Sequence, residues 1–302
     1  MKTLANIADS DGTFAIIAMD QRNTLRRMFD AVGMEATPED MGQAKVDVAE
    51  YLSPGATGLL LDPDFGVPAV RASGKLAANC GLLVAAEPSE RGNYNGEPRA
   101  HRIEAQGGQW VLDQGGDAVK FLVQINATRT AKPGEPDLVA EGLDVVRGVV
   151  DDCRAAGIPS VIENLVYTLP GEEKLAGQAK SDAIIESAAV MSELGMDLLK
   201  LEYPGSPEAC RRLSAAIDVP WAVLSAGVDF EEFTDVLRIS CEEGGASGFI
   251  AGRALWKESI GMSAGERATF FPNVAVARLD ACREAIAGRA TPWTAVTAKE
   301  AR

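Results

Sequence analysis

The feature that most constrains this 302-residue chain is a succession of short apolar runs, each bounded by Gly, Pro or an acidic residue and each followed by a longer segment of helical character. The runs are FAIIAMD (14–20), TGLLLD (57–62), GLLVAAE (81–87), AVKFLVQI (118–125), PSVIENLVY (159–167), DLLKLEYP (197–204), PWAVLSAG (220–227) and GFIAGRALW (248–256). They are continuous rather than alternating polar and apolar, which is the pattern of parallel strands buried on both faces. Between them lie segments such as LVAEGLDVVRGVVDDCRAAG (138–157) and SDAIIESAAVMSELG (181–195). The second reads as a helix opening on a cap at Ser181 or Asp182 and ending at Gly195. No Gly/Ser-rich linker, low-complexity tract or short repeat breaks the rhythm. Eight strand-helix units predict a closed (β/α)8 TIM barrel formed by one domain, residues 1–302, with an open doubly wound sheet as the alternative.

Charge and cysteine usage narrow the function classes. A formal net charge of -15 repels nucleic acid and anionic membrane at long range, so neither is expected as a partner, and an anionic substrate must be captured by a local cluster of cations. No apolar stretch reaches the roughly 18 residues of a membrane span, and the first residues lack the cationic lead of a signal peptide, so a cytoplasmic location is expected. Cys80, Cys153, Cys210, Cys241 and Cys282 are dispersed without a C-x-x-C pair, which predicts buried reduced thiols with no chemistry. His101 is the only histidine. That disfavours a zinc enzyme built on several imidazoles, predicts a metal-free mechanism without cofactor, and leaves His101, in the polar stretch PRAHRIE, as a surface residue.

The chemistry-bearing residues fall in one place along the runs. Asp20, Asp62, Glu87, Glu163, Lys200, Ser225 and Arg253 stand at or near the C-terminal ends of the expected strands, and Lys120 lies inside one. In a barrel those ends share one mouth, so these residues are expected to converge. Lys200 must snorkel, pair with a carboxylate, or act as an amine nucleophile. A second lysine nearby, Lys120, tips the reading towards imine chemistry, because like charge and desolvation together favour the neutral amine. An iminium accepts electrons from the adjacent carbon–carbon bond and needs a base for the departing hydroxyl proton, a role for which Glu163 is placed. Asp20 could orient hydroxyls or support proton transfer, or simply cap its strand or pair with Arg22. Candidates for anion binding are Ser225, Gly227, Gly252 and Arg253, where small residues let backbone N–H groups approach a phosphate and an arginine adds a bidentate cation, with simple turns at SAG and GR as the alternative. At the far end of a substrate, Gln21 and Arg22 follow the first strand, while Arg26 and Arg27 read as solvated helix charges.

AMDQRNTLRRMF (18–29), YLSPGATGLLLDPDFG (51–66), DAVKFLV (117–123), IENLVY (162–167), DLLKLEYP (197–204), VLSAGVDFEEF (223–233) and GFIAGRALW (248–256), taken in this order, resemble the class I tagatose-bisphosphate aldolases and their relatives the sulfofructose-phosphate aldolases. The resemblance implies a metal-independent barrel that cleaves a phosphorylated ketose to dihydroxyacetone phosphate and an aldehyde. It places the Schiff-base lysine on Lys200, the acid/base carboxylate on Glu163, the assisting lysine on Lys120 and the first-strand aspartate on Asp20. Phosphate-binding loops fall on Ser225, Gly227, Gly252 and Arg253. LLLDPDFG and the terminal TPWT lean towards a ketose 1,6-bisphosphate over a 6-sulfonate. The loops EPSERGNYNGEPRA and NATRTAKPGEPD carry no alignable substrate contact. Competing readings are another imine-forming barrel, such as a deoxyribose-phosphate aldolase or transaldolase, and a sugar-phosphate-sensing regulator. A homo-oligomer is expected on general grounds.

Overall fold

A computed structural model describes residues 1–300, so the last two residues of the expected domain, 301 and 302, lie outside the described residues. Eight parallel strands close into a barrel. We label them β1 (Phe14–Met19), β2 (Gly58–Leu61), β3 (Gly81–Ala85), β4 (Ala118–Val123), β5 (Ser160–Asn164), β6 (Leu198–Leu201), β7 (Trp221–Val223) and β8 (Gly248–Ala251). Each pairs with its neighbours in sequence, and β1 pairs with β8 to close the ring, Phe14 lying opposite Gly248 and Ile17 opposite Ala251. Each strand lies inside the run predicted for it and is shorter, because the residues that follow leave the ladder to build the loops of the mouth.

The continuous apolar runs resolve into two faces. Ile16, Ala18, Leu60, Leu83, Ala85, Ala118, Val161, Leu198, Ala222 and Ile250 fill the barrel interior, closed off at the N-terminal end by Leu4 and Ile7. The alternate residues, including Ile17, Met19, Leu59, Val84, Phe121, Ile162, Leu199, Trp221 and Phe249, pack outward against the helices. Both faces are dry, which is why the sequence shows no alternation although the strands obey it.

The helix Leu138–Ala156 matches its prediction: Asp137 accepts from the N–H groups of Val139 and Ala140, and Gly157 closes it at φ 68°. The helix predicted from Ser181 starts earlier and spans Gly177–Ser192. Ser181 is no cap; its hydroxyl lies within hydrogen-bond reach of the carbonyls of Gly177, one turn back, and of Pro204, with a single hydrogen to donate. Gly195 lies beyond the helix end, at φ 71°.

One element lies outside the eight predicted strand-helix units. Gly92–Tyr94 and Glu97–Arg99 form an antiparallel hairpin in the loop after β3. Its turn is Asn95-Gly96, both at positive φ (51° and 91°), the Asn-Gly signal that best specifies a two-residue hairpin. Arg129, from the loop after β4, grips Glu97 with two N–H groups at 2.6 and 3.1 Å, and the Tyr167 hydroxyl after β5 donates to the same carboxylate at 2.9 Å. The loops of three consecutive strands are thereby tied into one rim.

Candidate active site

Side chains on one face of a strand recur every second residue, so each interior column of the barrel predicts what stands above it at the mouth. Two residues beyond Ala18, Ala85, Ala118, Val161 and Leu198 come Asp20, Glu87, Lys120, Glu163 and Lys200. Ionisable groups therefore cap the apolar layer on five strands. The register sets their order, with Glu163 directly opposite Lys200 on the neighbouring strand.

Lys120 Nζ is the hub. It lies 2.7 Å from Asp20 Oδ2, 2.6 Å from Glu87 Oε1 and 2.9 Å from Glu163 Oε2. Lys200 Nζ donates to the same Glu163 oxygen, also at 2.9 Å. One carboxylate thus bridges two lysines. Glu87 is further held by the N–H of Leu122 at 3.2 Å.

For Lys120 these contacts run against the expectation that like charge and desolvation favour a neutral amine. Burial alone lowers the pKa of the Lys120 ammonium, but the carboxylates of Asp20, Glu163 and Glu87 overcome that and hold it well above its ordinary value. Lys120 is a fixed cation. Burial in turn would raise the pKa of the Asp20 carboxyl, yet Lys120 and then Lys200 outweigh it and keep Asp20 far below the usual carboxylate range. Glu163 is depressed by the same two lysines against burial. The site is an alternating set of charges in low dielectric, where each sign stabilises the other.

These groups form the floor of an open cavity of about 420 Å³ whose wall also carries Gln21, Arg22, Arg27 and Arg253. Arg22 donates to the carbonyl of Glu87 at 2.9 Å and pairs with Asp64 at 3.3 Å, not with Asp20. Gln21 brings a buried side-chain oxygen with no hydrogen-bond partner, an acceptor that a protein interior seldom leaves unsatisfied. Arg27, read from sequence as a solvated helix charge, joins the wall.

Three predicted phosphate contacts stand elsewhere. Ser225 lines a neighbouring groove with Lys180, Glu202 and Tyr203. Gly227 is not on the cavity wall but lies against Arg253; a Cβ there would stand 3.5 Å from the guanidinium carbon. Gly252 has a packing reason of its own, since a Cβ would come within 2.0 Å of the carbonyl of Ala18. Asp62 does not converge either. It turns away from the mouth into an ion pair with Lys45 at 2.6 Å and accepts from the N–H groups of Asp64, Phe65 and Gly66. His101 is exposed, as expected.

Two wall residues carry no role in the sequence reading. Glu87 stands at a predicted strand end, and its inward column, Leu83, Ala85, Glu87, was the available signal. Arg91, just before the hairpin, also lines the cavity, with its guanidinium bonded to Gln124; no sequence pattern marks it. Among the described residues no group of three or more His, Cys, Asp or Glu is arranged to hold a metal ion. An amine beside a carboxylate, inside a cationic cavity open to solvent, can form an imine with a carbonyl compound and move a proton at the adjacent carbon or oxygen.

Tagatose 1,6-diphosphate aldolase 2 of Streptococcus agalactiae serotype III (strain NEM316) is 31% identical over 86% of this chain and 85% of its own length. The enzyme of the same name from Streptococcus pyogenes serotype M1 is 28% identical over 94% of each. A fructose-bisphosphate aldolase from Plasmodium falciparum superposes with a TM-score of 0.71 at 15% identity, covering 95% of both chains. An archaeal fructose 1,6-bisphosphate aldolase does so with a TM-score of 0.61 at 19% identity, over 93% of this chain and 96% of that one. At such identities the structural likeness speaks for the barrel alone. The sequence profile described as DeoC/LacD family aldolase matches residues 14–258. With four-fifths of the chain inside that match, this protein belongs to the DeoC/LacD family of aldolases and is a carbon–carbon lyase.

Proposed function

We propose that this aldolase is of the Schiff-base class and cleaves a ketose 1,6-bisphosphate, tagatose 1,6-bisphosphate first among them, to dihydroxyacetone phosphate and glyceraldehyde 3-phosphate. The observation that carries the reading is the buried Lys200 amine 2.9 Å from Glu163 Oε2 at the foot of a cationic cavity. Glu163 takes a proton from Lys200, and the neutral amine attacks the ketone carbonyl. Glu163 returns that proton to the carbinolamine hydroxyl, which departs as water and leaves an iminium with Glu163 again ionised. Glu163 then accepts the proton of the hydroxyl on the carbon about to leave, the carbon–carbon bond breaks into the iminium, and the aldehyde departs. Protonation of the enamine and hydrolysis release the triose phosphate and restore Lys200.

Lys120 serves as a permanent charge that keeps Asp20 and Glu163 ionised and holds Glu87 in place, rather than as a second amine. Arg253, beside Gly227, takes the phosphate near the reacting carbonyl, with Ser225 and Gly252 contributing from the chain that follows β7 and β8. Gln21 and Arg22 take the distal end. Arg22 is already shared with Asp64, so its net positive field suits a sulfonate monoanion as well as a phosphate. The second reading is therefore a sulfofructose-phosphate aldolase. The functional unit in this reading is one domain, residues 1–302, acting in the cytoplasm within a homo-oligomer.

Borohydride added with dihydroxyacetone phosphate should fix the triose on Lys200, located by peptide mass spectrometry. A label on Lys120, or turnover with no adduct, would overturn the assignment. Comparison of kcat/KM for tagatose and fructose 1,6-bisphosphates against 6-deoxy-6-sulfofructose 1-phosphate decides the distal group.

A further inference from the structure

We propose that Lys45, which lies outside the cavity, is a positioning residue for the reaction: together with Asp62 it fixes the end of β1 so that Asp20 meets Lys120 while Gln21 and Arg22 face the substrate. The inference rests on the reading of those three residues given above. Lys45 stands in the middle of the helix Pro38–Leu52 and is completely buried, as is Asp62. An ammonium has three hydrogens to place, and Lys45 places them on the carbonyl of Met19 at 2.6 Å, the carbonyl of Gln21 at 3.0 Å and Asp62 Oδ1 at 2.6 Å. Two of its three partners are thus the backbone carbonyls on either side of Asp20.

That placement matters because the ladder stops short. Strand pairing of β1 ends at Ile17 on one side and Met19 on the other, and the next helix starts at Asn23. Residues 20–22, which carry three cavity side chains, have no strand register to hold them. Asp62 extends the same hold. By accepting from the N–H groups of Asp64, Phe65 and Gly66 it shapes the loop that presents Asp64 to Arg22, and Arg22 in turn donates to the carbonyl of Glu87. One buried pair therefore ties together the ends of β1, β2 and β3. The packing leaves it little play, since a Cβ on Gly66 would stand 2.9 Å from Asp62 Oδ1 and 3.1 Å from Lys45 Cδ.

A fold that needed only a filled interior would be served by an apolar side chain in place of Lys45, because buried ion pairs seldom add net stability over well-packed hydrophobic groups. Burial indeed pulls the Lys45 ammonium below its usual range, with Asp62 opposing. What an apolar residue could not supply is three directed hydrogen bonds.

The double variant Lys45→Met with Asp62→Asn tests this. It removes both charges, keeps the volume, and leaves an acceptor for the loop N–H groups, whereas Lys45→Met alone would strand a buried carboxylate. The double variant should keep its melting temperature near that of the parent while kcat falls about 10- to 100-fold, the scale of a misplacement near 1 Å, and KM rises through Arg22. Borohydride should still trap dihydroxyacetone phosphate on Lys200. A folded double variant with parental kcat and KM overturns the proposal. Should it fail to fold, Gly66→Ala nudges the pair without removing a charge; a several-fold fall in kcat in the folded protein supports the proposal, and unchanged kinetics refute it. A crystal structure of either variant gives an answer independent of substrate: Asp20 Oδ2 beyond hydrogen-bond reach of Lys120 Nζ supports the inference, and an unchanged contact sinks it. If the parent itself leaves tagatose 1,6-bisphosphate intact, the functional reading fails, and this structural readout still judges Lys45.

Discussion

Replacing Lys120 with methionine should turn a pH-insensitive site into one that is stabilised by acid. The ammonium has carboxylate oxygens at 2.6, 2.7 and 2.9 Å, and a methionine fills much of its volume while offering them nothing. Removing one partner from a buried ion pair costs about 3–5 kcal/mol. With three partners left, of which only Glu163 retains Lys200, the loss near pH 8 should reach the upper part of that range. The protein can relieve it by taking up protons. In the parent, the folded pKa of Asp20 lies below the unfolded value, so both states are ionised between pH 5 and 8 and this group adds no slope there. In the variant the strongest opposing cation is gone, only the more weakly acting Lys200 and Lys45 remain, and burial, already the largest influence on Asp20, raises its pKa. The folded state then binds the extra proton, and stability falls as pH rises, by about 1.4 kcal/mol per pH unit per proton between the unfolded pKa and the raised folded one. Urea midpoints measured for both proteins at pH 5, 6, 7 and 8 read this directly. Parallel pH profiles would refute the account of Lys120 as the charge that keeps Asp20 ionised, and a variant as stable as the parent at pH 8 would refute the buried network itself.

Glu163→Gln should lower turnover by about 10²–10⁴-fold, the range for a lost general acid or base, while the borohydride adduct on Lys200 remains detectable; near-parental turnover would return Glu163 to a structural role. Arg22→Ala should raise KM for a bisphosphate several-fold yet leave the KM for a substrate lacking the distal anion unchanged, whereas Arg253→Ala should weaken both; equal effects of Arg22→Ala on the two substrates would remove it from the distal end. The thiols of Cys80, Cys153, Cys210, Cys241 and Cys282 are buried, and burial pushes each to about 12, so a thiol reagent at pH 8 should react with native protein only on the timescale of unfolding and with all five at once in denaturant; one fast-reacting thiol in the folded protein would contradict this burial.

Strand order and the barrel were legible in the sequence because both faces of each strand are dry, so the apolar runs stand out whatever the register. The site was legible wherever an ionisable residue interrupts an interior column. Lys120, Glu163 and Lys200 lie within their strands, where the two-residue period dictates their direction, and Asp20 and Glu87 lie close enough to the strand ends to follow it. Beyond the strand ends the period stops governing direction, and only the three-dimensional neighbourhood decides. Asp62 occupies the same step above its column as Asp20 does, yet Lys45, brought in from a helix 17 positions earlier in the chain, turns it away from the mouth. Ser225 follows β7 but lines the groove towards Lys180 and Glu202. Arg91 reaches the cavity because a hairpin is clamped by Arg129 and Tyr167 from two other loops. The charge on Lys120 is the plainest case. Sequence could place two lysines near one another, but carboxylates from three other strand ends surround the first and one bridges it to the second, and the energy of a buried charge depends on those distances rather than on residue order.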